Sequence, residues 1–399
     1  MKLRSIKNVS VKNKKVLMRV DYNVPLDGAK ILDDRRILDS LPTINYLLKN
    51  GAGQITLISH LGRPVSPAGK PEGKTNPKYS LQPIANYLEK KLKLPTSKVT
   101  LLENLRFDLR EEKNDLEFAQ ELAAQADIYI NDAFSVSHRA HASVTAITKY
   151  LPSYAGFALQ KEVEMLSLLL EKAQRPFVLI VGGAKISDKI QAIENLSQLA
   201  DVVLVGGAIA NNFLKAEGFN VYKSYLEEAG KNKDFVKFAD NLLDENQQEH
   251  SLINGWPLPK IIYPIDVLAA DATDAKSALT INLLHQSTNQ PINRSTCFFD
   301  IGPQTIKLFE KVISQAATIF WNGPMGLLEN PIFAQGTKKI AQAITQSKAE
   351  SVIGGGDTIA ALEKFKIDQK KFTYVSAAGG AALEFLSGKM LPGIKPLLS

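Results

Sequence analysis

The sequence predicts an α/β protein made of two doubly wound parallel-sheet (Rossmann-like) domains joined by a helical hinge. Short apolar runs rich in β-branched residues alternate with segments of helical periodicity along the whole chain. The runs are almost continuously apolar, as strands covered on both faces must be. Eleven of them can be read in the 399 residues, too many for one ordinary open sheet, and the length itself suits two or three domains at about 150 residues each.

In the first half the expected strands are Val16–Val24, Ile55–Ser59, Val99–Leu102 and Asp127–Asn131. Arg36 opens the helix after the first of them, and Leu81–Leu92 has helical spacing. Gly69–Tyr79, rich in Gly, Pro and Lys, reads as a surface loop. From Gly156 a helix-like stretch runs to Arg175-Pro176, where proline pushes the preceding residue out of the helical region. The second half has strands at Phe177–Val181, Val202–Val205, Ile261–Pro264, Cys297–Asp300, Thr318–Trp321, Ser351–Ile353 and Thr373–Ser376. The expected division is therefore 1–156, a connecting helix at 157–175, and a second domain from 176.

Composition narrows the function. Apolar residues make up 45% and charged residues 22%, which excludes a disordered chain. One cysteine, Cys297, excludes a disulfide framework and any multi-cysteine metal site. No apolar run approaches the roughly 18 residues of a membrane span and no targeting segment is read, so a soluble, cytoplasmic protein is expected. The net charge of +7 (48 Lys+Arg against 41 Asp+Glu) indicates affinity for anions. Nucleic acid is not the expected partner, because the one dense basic cluster, Lys12 to Lys15, lacks interleaved aromatics and reads as a solvated strand entrance. Eight of the ten arginines precede residue 140, together with His60, His138 and His141. The planar fork of arginine suits carboxylate and phosphate, so an anionic small-molecule site is expected in the first half.

In open α/β sheets ligands bind beyond the carboxyl ends of the strands. Those ends in the first half carry Asp21-Tyr22-Asn23, His60-Leu61-Gly62-Arg63, Arg106 and Asn131-Asp132, with Ser137 to His141 close behind. A single Arg or His there would be an ordinary surface or capping residue. Five basic side chains from different loops at one sheet edge point to a ligand. In the second half the same positions are glycines: Gly182-Gly183, Gly206-Gly207, Gly302-Pro303, Asn322-Gly323-Pro324 and Gly354-Gly355-Gly356-Asp357-Thr358. Glycine admits close backbone approach, and a following helix offers unpaired N–H groups to phosphate, so the series reads as a nucleotide cradle. Lys185 and Lys189, four apart, are expected on one helix face near the phosphates. Residues Gly69 to Thr75 imitate a P-loop ending, but Ala68 stands where its first glycine belongs. No dinucleotide fingerprint is present, and the three early histidines lack metal-ligand spacing.

A basic half and a glycine-rich half invite comparison with a family. Lys15 to Pro25 (KVLMRVDYNVP), Ser59 to Pro64 (SHLGRP), Leu101 to Phe107, His138 to Ser143, Gly182 to Lys189 (GGAKISDK), Trp321 to Gly326 and Gly354 to Thr358, in that order, resemble the signatures of phosphoglycerate kinases across essentially the whole chain. The resemblance implies reversible phosphoryl transfer from 1,3-bisphosphoglycerate to ADP, giving 3-phosphoglycerate and ATP in glycolysis, with Mg²⁺ as cofactor, in a cytoplasmic monomer. By position, Asp21, Asn23, Arg36, His60, Gly62, Arg63, Arg106 and Arg139 would bind phosphoglycerate. Gly182, Gly183, Lys189, Gly206, Asn322, Glu329, Gly355, Gly356, Asp357 and Thr358 would serve the nucleotide, with Asp357 facing the metal. Arg36 and Lys185 would meet on the phosphoryl group in transfer. The resemblance also implies that residues 386–399 cross back to pack on the first domain and that the second domain ends at 385. The chain differs from the usual pattern at Ser135-Val136-Ser137, Ala377-Ala378 and Gln304, while the main cationic positions are intact.

The chemistry fits these residue types. Both reacting oxygens are already anionic, so the site needs positioning and charge cancellation rather than a general base. Hinge-bending closure would bring the substrates into line and keep water from the acyl phosphate. An NAD-dependent dehydrogenase would suit the fold but lacks its glycine fingerprint. A non-catalytic anion-binding protein leaves Lys185, Lys189 and the glycine loops unexplained.

Overall fold

The computed structural model describes residues 1–64, 76–227, 234–246, 250–253, 256–284 and 294–399. Most of the expected loop at 69–79 and the whole P-loop imitation at 69–75 lie outside the described residues. The chain forms two compact units, Met1–Glu164 with Lys389–Ser399, and Met165–Gly388.

The first unit contains β1 (Lys15–Arg19), a small antiparallel hairpin of β2 (Leu26–Asp27) and β3 (Lys30–Ile31), α1 (Arg35–Asp39), α2 (Leu41–Lys49), β4 (Gln54–Ile58), α3 (Gln82–Lys90), β5 (Val99–Leu101), α4 (Leu116–Ala123), β6 (Ile128–Asn131) and β7 (Ser153–Ala155). Its main sheet has the order β5-β4-β1-β6-β7, with every pair parallel. Side chains alternate between the two faces of a strand, and both faces are covered here. Val16, Met18, Ile55, Leu57, Ile128 and Ile130 enter one core, while Leu17, Ile58 and Tyr129 enter another beside Phe118 and Leu122 of α4. Each such aliphatic side chain stabilises the unit by roughly 1.5–3 kcal/mol. The strand expected over Val16–Val24 ends at Arg19. Beyond Val20, whose N–H still donates to Ile58 O at 3.0 Å, the chain turns at Asp21, whose Oδ1 accepts Asn23 N at 3.1 Å.

The C-terminal segment is tied to this unit. Arg4 N donates to Leu397 O at 2.8 Å and Gly393 N to Ser137 O at 2.8 Å. The division falls at Lys389 rather than 386, because Leu386 closes a helix of the second unit and its carbonyl takes Asn195 Nδ2 at 2.6 Å. The connecting helix α5 (Phe157–Glu171) ends before the expected 175, and the division passes within it.

The second unit continues with β8 (Phe177–Val181), α6 (Ile190–Leu199), β9 (Val202–Val205), α7 (Ala210–Ala216), α8 (Phe235–Asn246), the hairpin β10 (His250–Ile253) and β11 (Trp256–Pro259), β12 (Ile261–Ile262), β13 (Asp266–Ala270), β14 (Leu279–Asn282), β15 (Cys297–Ile301), α9 (Pro303–Gln315), β16 (Thr318–Asn322), α10 (Gln335–Gln346), β17 (Glu350–Gly354), α11 (Gly356–Lys364), β18 (Tyr374–Ser376) and α12 (Gly380–Leu386). Six strands form a parallel sheet in the order β12-β9-β8-β16-β17-β18. Val178, Ile180, Val202, Leu204, Ile319, Trp321 and Ile353 face one core. Leu179, Val203, Phe320 and Val352, one residue out of phase, are equally buried.

One expected strand has a different place. Cys297–Asp300 does not join the parallel sheet, because β15 pairs antiparallel with β13 in the separate sheet β14-β13-β15. Gly302-Pro303, at its end, is therefore not part of the row of parallel strand ends. Its glycine packs against the Asp266 carboxylate, where a Cβ would overlap. In each main sheet the chain leaves the first strand in one direction (β1→β4→β5, β8→β9→β12) and returns to its other side (β6, β16). The switch points are thus beside β1 and β8, where ligand crevices form in such sheets.

Candidate active site

At the switch point of the first unit, side chains from several loops interlock. Asp21, just beyond β1, accepts Arg36 Nη1 at 2.7 Å on Oδ2, and the same oxygen accepts the hydroxyl of Ser135. Arg36 Nη1 also donates to Asn23 O at 3.2 Å. Asn23 Oδ1 accepts Gly62 N at 2.9 Å, and Gly62 O accepts Arg106 Nη1 at 2.6 Å. Arg106 Nε lies 3.0 Å from Glu112 Oε1, and Asn104 begins the short turn that carries Arg106 by accepting its N–H at 3.0 Å. Gly62 has φ +59, and a Cβ there would press on the ring of Tyr79.

The cluster is strongly positive. Burial, followed by the fields of Arg19, Arg106, Arg139 and His141, holds His60 well below its usual pKa. His141 is pushed down to about 4 by burial and then by Arg106, Arg19 and Arg139. Burial lowers Arg106 to about 10 against the opposing pull of Glu112, with Arg139, Arg19 and Arg63 lowering it further. Both imidazoles are therefore neutral at pH 7; Arg106 and Arg139 stand within electrostatic reach of His60, and Arg63 and Arg139 within reach of Arg106. Arg139 Nε donates to His138 Nε2 at 3.1 Å. Arg35 and Arg110 take no part: they pair with Asp33, and with Asp108 and Glu121. The run Lys12–Lys15 is exposed, as a solvated strand entrance should be.

Sequence reasoning missed what lies beneath. Arg19, in the last position of β1, is buried, and its Nη2 meets His60 Nδ1 at 3.1 Å while its Nε donates to Ser143 Oγ at 3.0 Å. Ser143 Oγ in turn donates to the buried Glu111 carboxylate at 2.6 Å. A lone arginine inside an apolar strand was the available signal.

In the second unit the glycines bring three loops together. Gly183, Gly207 and Gly323 have φ of +93, +61 and +98, and a Cβ on any of the last two or on Gly182 would collide with neighbouring backbone. Gly206 is closed down by the Met325 side chain. Lys189 Nζ donates to Gly182 O at 3.2 Å, and burial, opposed by Asp357, Asp188 and Glu227, lowers its pKa. Lys185 and Lys189 do not share a helix face. Lys185 lies exposed in the loop, and Lys189 is the N-cap of α6. The segment between them is held by Glu227, whose Oε2 accepts Ile186 N at 2.8 Å and Ser187 N at 3.0 Å. Burial would raise the Glu227 pKa, but these bonds and the Ser187 hydroxyl outweigh it and the carboxyl is lowered.

Two cavities open here. One, of about 500 Å³, is lined by Lys189, Asn322, Gly355, Gly356, Asp357 and Thr358 among others. The other, of about 610 Å³, is walled by Gly183, Gly207, Phe299, Leu327 and Glu329, and Asp357 belongs to both linings. Tyr225, from the segment after α7, and Asp271 to Thr273 and Cys297, at the antiparallel sheet, also line the second cavity, and sequence reasoning named none of them as site residues. Thr358 Oγ1 accepts Gly323 N at 2.7 Å, joining two of the loops. Asn322 Oδ1 is buried with no hydrogen-bond partner among the described residues. Neither α6 nor α11 has a side-chain cap, so α11 presents first-turn N–H groups and a positive dipole end to the cavities. Among the described residues no group of three or more His, Cys, Asp or Glu could cage a metal. No helix of the described residues is long and apolar enough to cross a membrane.

A sheet edge lined with arginine in one unit and a glycine-floored double cavity with an uncapped helix in the other fit a phosphotransferase of the α/β class. The comparisons are specific. A family model described as "Phosphoglycerate kinase" matches residues 6–389. A phosphoglycerate kinase of Coprothermobacter proteolyticus is 42% identical over 419 residues, covering 100% of this chain and 99% of the relative. One of Finegoldia magna is also 42% identical, covering 99% and 98%. The solved phosphoglycerate kinase of Coxiella burnetii superposes with a TM-score of 0.85 at 38% identity, covering 99% of this chain and 98% of that one. That of Pyrococcus horikoshii gives 0.79 at 31% over the same shares. The chain belongs to the phosphoglycerate kinase family and is an enzyme, a kinase with a carboxyl group as phosphoryl acceptor.

Proposed function

We propose that the first unit binds the phosphoglycerate and the second the adenine nucleotide, and that the chain moves a phosphoryl group from 1,3-bisphosphoglycerate to ADP and back. The observation that supports this reading is that an arginine-rich cluster and a glycine-rich pair of cavities lie each at the switch point of its own sheet. His60, Arg63, Arg106 and Arg139 suit the polyanionic glycerate. Asp21 can only accept, so it suits the one hydroxyl of that substrate while its pairing with Arg36 limits repulsion. The amides of Gly356 to Thr358, with Lys189, suit the nucleotide phosphates, and the apolar wall with Glu329 suits base and ribose.

The donor set fits Mg²⁺. This ion is usually held by one or two carboxylates plus substrate phosphates rather than by an all-protein cage. Asp357 is the carboxylate shared by both cavities, and the orphaned Asn322 Oδ1 is a further acceptor in the same wall. When bound with the nucleotide, the ion would supply positive charge to the phosphates.

In the reaction a β-phosphate oxygen of ADP forms a bond to phosphorus as the bond between phosphorus and the acyl oxygen breaks, leaving the carboxylate of 3-phosphoglycerate. Arg36 and Lys185 meet the charge of the phosphoryl in flight. The substrates are held by different units, so a hinge-bending movement must bring them into line and exclude water. One chain furnishes both sites, which supports a monomer, and a glycolytic role supports a cytoplasmic one. The test is a coupled assay of ATP formation from ADP and 1,3-bisphosphoglycerate. Mg²⁺-dependent ATP is expected, and its absence refutes the reading.

A further inference from the structure

We propose that the buried Arg19 is a positioning residue that locks His60 as its Nε2–H tautomer, so that this imidazole always presents a hydrogen-bond donor to the anion bound in the first unit. The inference rests on the reading of this cluster as the phosphoglycerate site and goes beyond it by assigning the proton. A guanidinium has donors and no acceptor. His60 Nδ1 lies 3.1 Å from Arg19 Nη2, so that nitrogen must offer its lone pair. The single proton of the neutral ring then sits on Nε2. An imidazolium, or the opposite tautomer, would direct an N–H at a guanidinium with nothing to accept it.

Arg19 has little freedom to leave. It is 1% exposed, and it also donates from Nε to Ser143 Oγ and from Nη1 to Val20 O and, at 3.5 Å, to Ser59 Oγ. Ser143 is fixed from the far side by both oxygens of Glu111, its N–H donating at 2.9 Å and its hydroxyl at 2.6 Å. Tyr129 OH donates to Ser143 O at 2.7 Å from the neighbouring strand. The chain of contacts Glu111–Ser143–Arg19–His60 thus runs from a buried carboxylate to the sheet edge. It supplies the countercharge for Arg19 one residue away from direct contact and leaves the guanidinium to face the imidazole.

The proposal is tested on the full-length protein with ¹⁵N-labelled histidine, free of substrate, at pH 7. His60 is assigned as the signal set lost in His60→Gln. Its Nδ1 should resonate as an unprotonated, pyridine-type nitrogen and its Nε2 as a protonated, pyrrole-type one. Arg19→Met should lose that signature and raise the KM for 3-phosphoglycerate about tenfold with kcat changed much less, as expected for loss of one charge-assisted contact. Arg19→Lys, also a pure donor, should restore the tautomer. A protonated Nδ1 in the wild-type protein, or an unchanged His60 signature in a folded Arg19→Met, overturns the proposal. If Arg19→Met does not fold, the wild-type spectrum decides. Titration with 3-phosphoglycerate separates the two readings: an unmoved spectrum with a correct tautomer refutes the substrate assignment and leaves the Arg19 lock standing.

Discussion

Gly356→Ala separates a glycine needed for the ligand from glycines needed for the fold. Gly356 is the first residue of α11, and a Cβ built there meets nothing within 4 Å; its φ lies outside the positive region. Alanine is the better helix former by roughly 0.5–1 kcal/mol, so Tm should stay level or rise slightly. Yet the residue lines the 500 Å³ cavity, and the new methyl would stand where phosphate must approach the first-turn amides. Losing one hydrogen bond to a charged group costs about 1.5–3 kcal/mol, a weakening of about 10- to 150-fold. Isothermal titration with ADP, run beside a thermal melt, reads both quantities. Gly355→Ala is the contrast: with φ +94 and a Cβ only 3.1–3.3 Å from the Asn322 side chain, it should lose on the order of 1–3 kcal/mol of stability as well. If Gly356→Ala binds ADP within twofold of wild type at unchanged Tm, the phosphates do not lie on α11 and the nucleotide assignment is wrong.

Arg36→Ala should lower kcat on the order of 100-fold; a fall of less than about tenfold would remove Arg36 from transition-state stabilisation. Asp357→Asn should raise the Mg²⁺ concentration for half-maximal rate about tenfold while leaving metal-free ADP binding near wild type, and an unchanged Mg²⁺ dependence would place the ion elsewhere. Asp132 gives a pH prediction for the first unit. Burial raises its carboxyl from 3.8 to about 7, against the pull of Thr43 and the amides of Leu159 and Ala158. The folded state therefore holds the proton longer than the unfolded one, so the stability that this group contributes is full below about pH 4 and is lost as pH rises to about 7, by about 1.4 kcal/mol per unit. Asp132→Asn should flatten that part of the urea-midpoint profile between pH 4.5 and 7.5, and a wild-type–mutant difference that does not vary with pH would show that the carboxyl titrates normally.

What was legible in the sequence was whatever lies close together in it. The strand-end residues Asp21, Asn23, His60, Gly62 and the glycines of 354–356 follow directly on apolar runs, so a rule about strand ends finds them without a structure. The supports were not legible, because their partners are remote: Arg19 meets Ser143 across 124 positions. The wall formed by Tyr225 and Cys297 comes from the segment that follows α7 and from an antiparallel strand, neither of which keeps the βα rhythm. Helix starts show the same division. Asp132 caps α5 from 26 positions away, Asp266 caps α9 from 39, and Asp300 caps α10 from 36. These helices begin on a buried carboxylate delivered by another strand, which closes their N-termini to any anion. The α11 N-terminus follows its own strand through Gly355 alone, with no side chain to occupy it. A helix left without a cap gives up about 1 kcal/mol of local stability, and here that loss coincides with a cavity, a shared carboxylate and an orphaned amide oxygen. On the nucleotide reading proposed above, phosphate would supply the missing acceptor, and the same omission that weakens the free helix would make the bound one a ligand site.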